Sequence, residues 1–260
     1  MSQARQHRVL TLEEEPFLIV RSAALGFPAG GDCRLLEHEH PCWQLLYAIS
    51  GAMTVYAGSR SWMIPAGKAV IIPARCRHGM RMWGEVAMRT LYFPRDLDAE
   101  ALRGNECRVV SVTPLLRELV LRVIEMVALD RRIEAEARLA AVVLDEMAHA
   151  EVTPLELPVP SDTRAAAVAQ DVMAEPSAEP VLDVLARRHG VGRRTLERIF
   201  RSETGMSFGM WQQKARLLYS VGALAESRPV TEAALEAGYS SVSAYISAFK
   251  RTFGFTPGRL

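Results

Sequence analysis

His38 and His40 stand two residues apart, so on an extended chain both imidazoles leave the same face. Gln44 follows four residues after His40, and His78 closes the stretch IIPARCRH. Imidazole and amide groups gathered on one face can hydrogen-bond within a polar pocket or direct free electron pairs at a bound species. Trp43, Tyr47 and Trp83 lie near enough in sequence to wall such a pocket. A second chemically capable group occurs far along the chain, where Arg193, Arg194, Thr195, Glu197 and Arg198 crowd together. Guanidinium and carboxylate groups side by side can pair with each other or hydrogen-bond a partner's polar groups in fixed geometry. The same residues also suit an ordinary solvated helix face.

Both groups need a frame. Residues from about Arg34 to Arg95 read as strands, with WQLLYAISG, AMTVYAGSRSWMIP, KAVIIPARCRHGMRMWG and VAMRTLYFP broken by glycine and proline. Short strands at this spacing indicate a small barrel or sandwich. From Thr113 to about Ala150 the period changes: Leu115, Leu119, Val123 and Val127, then Leu139, Val143 and Met147, mark two amphipathic helices separated near Asp130. Their apolar stripes are wider than one barrel needs, which points to a second copy of the chain as partner. TPLELPVPSD, with three prolines and neither period, reads as a linker. A helix from about Ser161 to Met173 opens the last part, and Glu175-Pro176 to Pro180 ends it. The expected division is a barrel with an N-terminal arm over 1–112, a helical connector over 113–152, a linker over 153–162 and a helical domain over 163–260.

That last domain repeats one pattern. Ala186, Gly190, Leu196, Phe200 and Gly205 are matched by Ala234, Gly238, Tyr245, Phe249 and Gly254. Two helices crossing over a short turn need a side chain of little volume where they approach, which suits the alanines. A glycine four residues later can take the left-handed conformation that ends the first helix. Leu196 with Phe200, and Tyr245 with Phe249, are spaced i, i+4, so each pair falls on the buried face of a second helix. The opposite face is free to enter a groove.

From VLDVLARRHGVGRRTLERIFRSETGMSFGMWQQKARL through VTEAALEAGYSSVSAYISAFKRTFGFTP, the chain resembles the AraC/XylS-type bacterial transcription regulators. The resemblance covers about eighty residues at many fixed spacings. It implies a double helix-turn-helix whose two recognition helices lie in successive major-groove segments of double-stranded DNA. Carried over residue by residue, the first would present Arg193, Arg194, Thr195, Glu197 and Arg198, and the second Ser241, Ser243, Ala244 and Ser247, with Lys250 and Arg251 beyond. Serine makes a permissive contact and alanine touches only a thymine methyl, so the second helix should discriminate bases weakly. Gly192 stands where the family usually has a serine N-cap.

The histidine segment resembles the cupin barrel, whose first motif is HxH, three residues, a carboxylate, six residues and glycine. His38, His40, Gln44 and Gly51 hold that spacing, with glutamine for the carboxylate, and Pro65, Gly67 and His78 suit the second motif. HEHPCWQLLYAISGAMTV and WMIPAGKAVIIP also look like the sensor domain of the AraC-type subgroup that includes nitroimidazole-resistance and iron-responsive regulators. The fold implied is α+β: a cupin-like β-barrel, two helices, then an all-α double helix-turn-helix domain. In metal-binding cupins the four positions hold a divalent ion, so His38, His40, Gln44 and His78 become candidate ligands for zinc, nickel, iron or manganese. Cys42 and Cys76, near His40 and His78, would offer a softer thiolate alternative. Many sensor barrels of this family bind organic effectors instead, which would make His38, His40, Gln44, Tyr47, His78 and Trp83 pocket residues.

The function implied is a DNA-binding regulator whose barrel senses a small molecule or metal, acting as a homodimer on promoter DNA beside RNA polymerase. A metal-dependent cupin enzyme and a ligand-independent DNA-binding dimer are the alternatives; the attached double repeat argues against an autonomous enzyme. A chain of 260 residues suits two domains, and a net charge of +1 is compatible with a local basic face. No amino-terminal apolar run and no long apolar span occurs, and Cys33, Cys42, Cys76 and Cys107 have no CxxC spacing; both observations suit a reducing cytoplasm.

Overall fold

The computed structural model describes residues 18–28, 34–174, 182–225 and 228–259. Its N-terminal part is an antiparallel nine-stranded sheet bent into a barrel-like shell. β1 (Leu18–Phe27), β2 (Arg34–His38), β3 (Trp43–Ala57), β4 (Arg60–Pro65), β5 (Lys68–Ile72), β6 (His78–Phe93), β7 (Arg108–Ser111), β8 (Ala128–Asp130) and β9 (Glu156–Pro158) contribute. β3 and β6 form the spine, paired from Trp43 opposite Phe93 to Tyr56 opposite Gly79. Register shifts between Ala48 and Ala52 bend both strands, so the first half of β3 pairs with β5 and the second with β4. Gly51 is required at that bend: its φ is +73°, and a Cβ there would collide with the Glu85 carbonyl.

Alternation along β3 divides the core. Trp43, Leu45 and Tyr47 point outward with Leu91 and Phe93, and α1 (Pro114–Met126) and α2 (Glu134–His149) cover them with Leu116, Val120, Val123, Val143 and Met147. Leu46 and Ala48 point into the shell. Thr113 starts α1 by accepting a 3.0 Å hydrogen bond from the Leu116 amide, and Pro114 follows at the first helical position.

Three expectations change here. Strands extend well outside 34–95, since β1, β7, β8 and β9 complete the sheet. The segment expected to be an irregular linker contains β9, which pairs with β4 from Arg60 opposite Pro158 to Trp62 opposite Glu156. Pro154 just before it and Pro158 as its last residue hid a three-residue edge strand. Val123, assigned to the surplus stripe, is fully buried on the barrel, whereas Leu115 (52% exposed) faces solvent.

The C-terminal part is helical: α3 (Thr163–Ala174), α4 (Leu182–Arg188), α5 (Arg193–Thr204), α6 (Phe208–Ala225), α7 (Val230–Glu236) and α8 (Val242–Phe253). The expected break at Glu175 to Pro180 lies outside the described residues. Trp211 of α6 stacks edge-on with Phe200, and its Nε1–H donates to the Pro158 carbonyl at 2.6 Å. One apolar core therefore runs from the shell through β9 into the helices.

Candidate sensor site and nucleic-acid interface

The polar cluster forms where four segments meet at one end of the shell. His38 ends β2 directly opposite His78, the first residue of β6, while His40 lies in the loop beyond β2 and Gln44 is the second residue of β3. The ligating nitrogens of His38, His40 and His78 lie within 4.8 Å of one another. Ring centroids are 4.8 Å apart for His38 and His40, 4.5 Å for His38 and His78, and 5.5 Å for His40 and His78.

Main-chain contacts aim two of these rings. His38 Nδ1 lies 2.8 Å from the Leu36 carbonyl and His78 Nδ1 lies 2.9 Å from the Cys76 carbonyl. Only a protonated Nδ1 can donate to a carbonyl, so the neutral ring keeps its lone pair on Nε2. His40 Nε2, His78 Nε2 and Gln44 Oε1 are buried and find no hydrogen-bond partner. Leaving such groups unpaired costs about 1–3 kcal/mol each, so a site that retains three of them, with His78 Nε2 and Gln44 Oε1 held as acceptors, fits something that accepts electron pairs. Burial, followed by the neighbouring His38 and His78, lowers the His40 pKa to about 4. Burial also lowers His78, against the opposing pull of the Cys76 carbonyl. These two imidazoles are neutral near pH 7, the state that ligates metal.

Gln44 is oriented from behind. Its Nε2 donates to Thr90 Oγ1 at 3.0 Å and to the Tyr92 hydroxyl at 3.3 Å, which turns Oε1 away from both. Tyr92 sits opposite Gln44 in register and its ring lies 5.3 Å from that of His40. Burial, only partly offset by Thr90, raises the Tyr92 pKa to about 12. Thr90 and Tyr92 escaped the sequence reading; their alternate spacing on a strand facing Gln44 is the signal that would have found them.

Two sequence assignments move. Tyr47 lies three residues from Gln44 on one strand, so it points to the opposite face and packs under the helices with Trp43 rather than walling the cluster. The thiolate alternative also goes, because the only group of converging metal-ligating His, Cys, Asp or Glu side chains among the described residues is the three histidines. Cys76 instead faces Cys107, with Sγ atoms 3.9 Å apart. Trp83 sits opposite Ala52 in register, and its side chain lies outside what is described.

The two helix-turn-helix units have the expected anatomy. Gly190 and Gly238 adopt φ of +64° and +77°, and Ala186 and Ala234 are buried beside them. Leu196, Ile199 and Phe200 bury one side of α5; Tyr245, Ala248, Phe249 and Phe253 bury one side of α8. Arg193, Arg194, Glu197 and Arg198 are exposed on α5 and Thr195 is half-buried; Ser243, Ala244, Ser247, Lys250 and Arg251 are exposed on α8. Arg193 bonds Glu197 at 3.2 Å and Asp183 at 3.1 Å, whereas Arg194 and Arg198 have no ion-pair partner among the described residues. The Ser241 hydroxyl caps α8 through the Ala244 amide at 3.4 Å, while Gly192, its counterpart on α5, provides no side-chain cap. Lys250 and Arg251 fall in the last turn of α8, where positive charge complements the helix dipole.

A strand-rich shell enclosing an electron-pair-donating cluster, continuous with two helix-turn-helix units, defines a DNA-binding protein with a ligand-binding domain. Residues 34–143 match the AraC-like ligand binding domain and residues 185–260 match a helix-turn-helix domain. The chain is 29% identical over 222 residues to the HTH-type transcriptional regulator NimR of Escherichia coli K12, covering 85% of this chain and 80% of that one. It is 27% identical over 217 residues to the HTH-type transcriptional regulator RipA of Corynebacterium diphtheriae, covering 82% of this chain and 58% of the relative. Fatty-acid-bound ToxT of Vibrio cholerae aligns at 10% identity over 93% of this chain and 94% of its own, with a TM-score of 0.38. The chain belongs to the AraC family of DNA-binding transcriptional regulators, with an N-terminal ligand-binding domain. No helix among the described residues is long and apolar enough to cross a membrane.

Proposed function

We propose that this regulator senses a divalent transition metal held by His38, His40 and His78, with Gln44 Oε1 as the oxygen donor. The observation that carries this reading is the set of buried, unpartnered polar atoms His40 Nε2, His78 Nε2 and Gln44 Oε1, of which the latter two are held as acceptors by the contacts on the other side of each group. Three imidazoles and a neutral oxygen suit zinc, nickel, iron or manganese better than the all-oxygen sites of calcium or magnesium. Bound metal would tie the end of β2 to the starts of β3 and β6, favouring one arrangement of the shell over others. That bias reaches DNA through β9 and α6. An organic effector at the seam is less well supported, because its cavities, about 60 Å³ between Tyr56, Met63, Leu157 and Leu218 and about 240 Å³ between Lys68, Ser111, Glu151 and Phe255, hold none of the buried unpartnered polar atoms found among the described residues. Small-molecule sites usually offer roughly 300–1,000 Å³.

On promoter DNA, Arg194 and Arg198 read bases from α5, Glu197 does so after exchanging its exposed pairing with Arg193, and Thr195 supports them. Ser243, Ala244 and Ser247 make permissive contacts from α8, while Ser241, Lys250 and Arg251 approach phosphates. Two chains associate through the exposed apolar residues of α1, and the DNA-bound dimer is positioned to meet RNA polymerase. The protein acts as a regulator and not as an enzyme.

The test is metal analysis of full-length protein reconstituted separately with zinc, nickel, iron(II) and manganese, alongside His78→Ala. One ion per chain is expected for at least one metal, with His78→Ala losing it and Gln44→Ala weakening binding about 10–100-fold. Operator binding should respond to chelator in the parent and not in His78→Ala. Absence of stoichiometric metal under all four conditions rules the reading out.

A further inference from the structure

Cys76 and Cys107 stand outside the metal reading, and their placement has its own chemistry. Cys76 lies in the loop between β5 and β6 and is half-buried; Cys107 immediately precedes β7 and is buried. They come together because β5 and β7 pair, with Ile71 opposite Arg108, so the residue before β7 lies beside the chain leaving β5. Their Sγ atoms are 3.9 Å apart, van der Waals contact for sulfur. A disulfide needs about 2.05 Å, leaving a closure of roughly 2 Å that a loop can supply more easily than two paired strands. Cys42 is buried apart from this pair, packed against Tyr92 and Ala128.

We propose that Cys76 and Cys107 form a reversible dithiol–disulfide pair that reacts with hydroperoxides. The Cys76 sulfur attacks the terminal peroxide oxygen, the O–O bond breaks, and the alcohol or water leaves with a proton. The sulfenic acid so formed on Cys76 is attacked by the Cys107 sulfur, its S–O bond breaks, and water departs. In sum, two thiols and one hydroperoxide give one disulfide, one alcohol or water, and one further water. The sulfurs lose two electrons and the peroxide gains them.

The loop that must move is tied to two histidines of the cluster. The Arg75 amide donates to the His40 carbonyl at 2.6 Å, and the Cys76 carbonyl holds His78 Nδ1 at 2.9 Å. Arg75 itself sits at φ +60°, so this turn is already conformationally restricted. Closing the disulfide therefore shifts the backbone that sets both rings, whether or not metal binds.

The experiment treats reduced, metal-free full-length protein with one equivalent of hydrogen peroxide, then alkylates free thiols and maps peptides without reduction. The expected result is a Cys76–Cys107 linked peptide with loss of two of the four cysteine thiols of the reduced chain, reversed by dithiothreitol. Cys107→Ser should lose the link and leave Cys76 as a sulfenic acid captured by a cyclic diketone. In isotope-labelled protein the imidazole signals of His40 and His78 should shift on oxidation of the parent and stay in place in Cys107→Ser. Cys76 over-oxidised while Cys107 remains alkylatable overturns the pairing. A formed disulfide with unmoved imidazole signals overturns its transmission to the cluster.

Discussion

Residue chemistry separates α5 from α8, the two helices proposed to read DNA. On α5, Arg194 and Arg198 project from an exposed face with no competing partner among the described residues, and a guanidinium that reaches guanine O6 and N7 makes two bonds in fixed geometry. On α8 the exposed residues are Ser243, Ala244 and Ser247, whose contacts are short and tolerant. Arg198→Ala should therefore cost about 1–3 kcal/mol on the preferred operator and relax selection at one base pair. Ser243→Ala should change neither affinity nor selection appreciably. Binding-site selection from randomised duplexes checks both, and equal loss of selectivity from the two variants contradicts the asymmetry. Ser241 differs from its neighbours because its oxygen already caps α8, so Ser241→Ala acts on helix stability as well as on the proposed DNA contact.

Elements expose a different kind of information. Val127 ends α1 with φ of +68°, a conformation that a β-branched residue adopts at a cost of roughly 1–2 kcal/mol, and its side chain is 57% exposed. The turn is held because Ser22 donates from its backbone amide and its hydroxyl to the Val127 carbonyl, both at 2.9 Å. Val127→Gly relieves the conformational strain while adding unfolded-state freedom, so a net gain of about 0.5–1 kcal/mol is expected. Thermal unfolding should show a midpoint higher by about 1–4 °C; a lower midpoint refutes the strain argument. Local patterns of this kind were legible wherever a period or a cap is written in adjacent residues: both amphipathic helices, the paired glycine turns and the HxH spacing. Long-range register was not. β1 and β9 join the sheet only because β6 and β4 offer them edges, and Thr90 and Tyr92 reach Gln44 only through pairing across the strand. The misplaced Tyr47 was readable in principle, since odd separation along one strand places two residues on opposite faces.

The whole molecule is held by a continuous core, and that decides how a signal can travel. Residues 153–162 would act as a tether if they were irregular, yet the Met63 amide donates to Leu155 O at 2.9 Å, the Val159 amide donates to Ser59 O at 2.7 Å, and Trp211 clamps Pro158 from α6. A helical domain held on the shell in this way moves with it, so any dimer formed through the shell's helices also sets the separation of four helix-turn-helix units. The face available for that contact is narrower than the sequence stripe implied. Leu115 and the half-buried Leu119 are one turn apart on α1, whereas Val123 is committed to the barrel core. Leu115→Glu with Leu119→Glu should give a folded monomer by sedimentation, with an unchanged circular dichroism spectrum and weaker binding to an operator carrying two half-sites. Val123→Glu should instead unfold the shell, because an unpaired carboxylate would replace a fully buried methyl pair. A Leu115→Glu, Leu119→Glu protein that still sediments as a dimer excludes this interface and transfers the search to other exposed apolar positions such as Met210 and Leu235 in the helical domain.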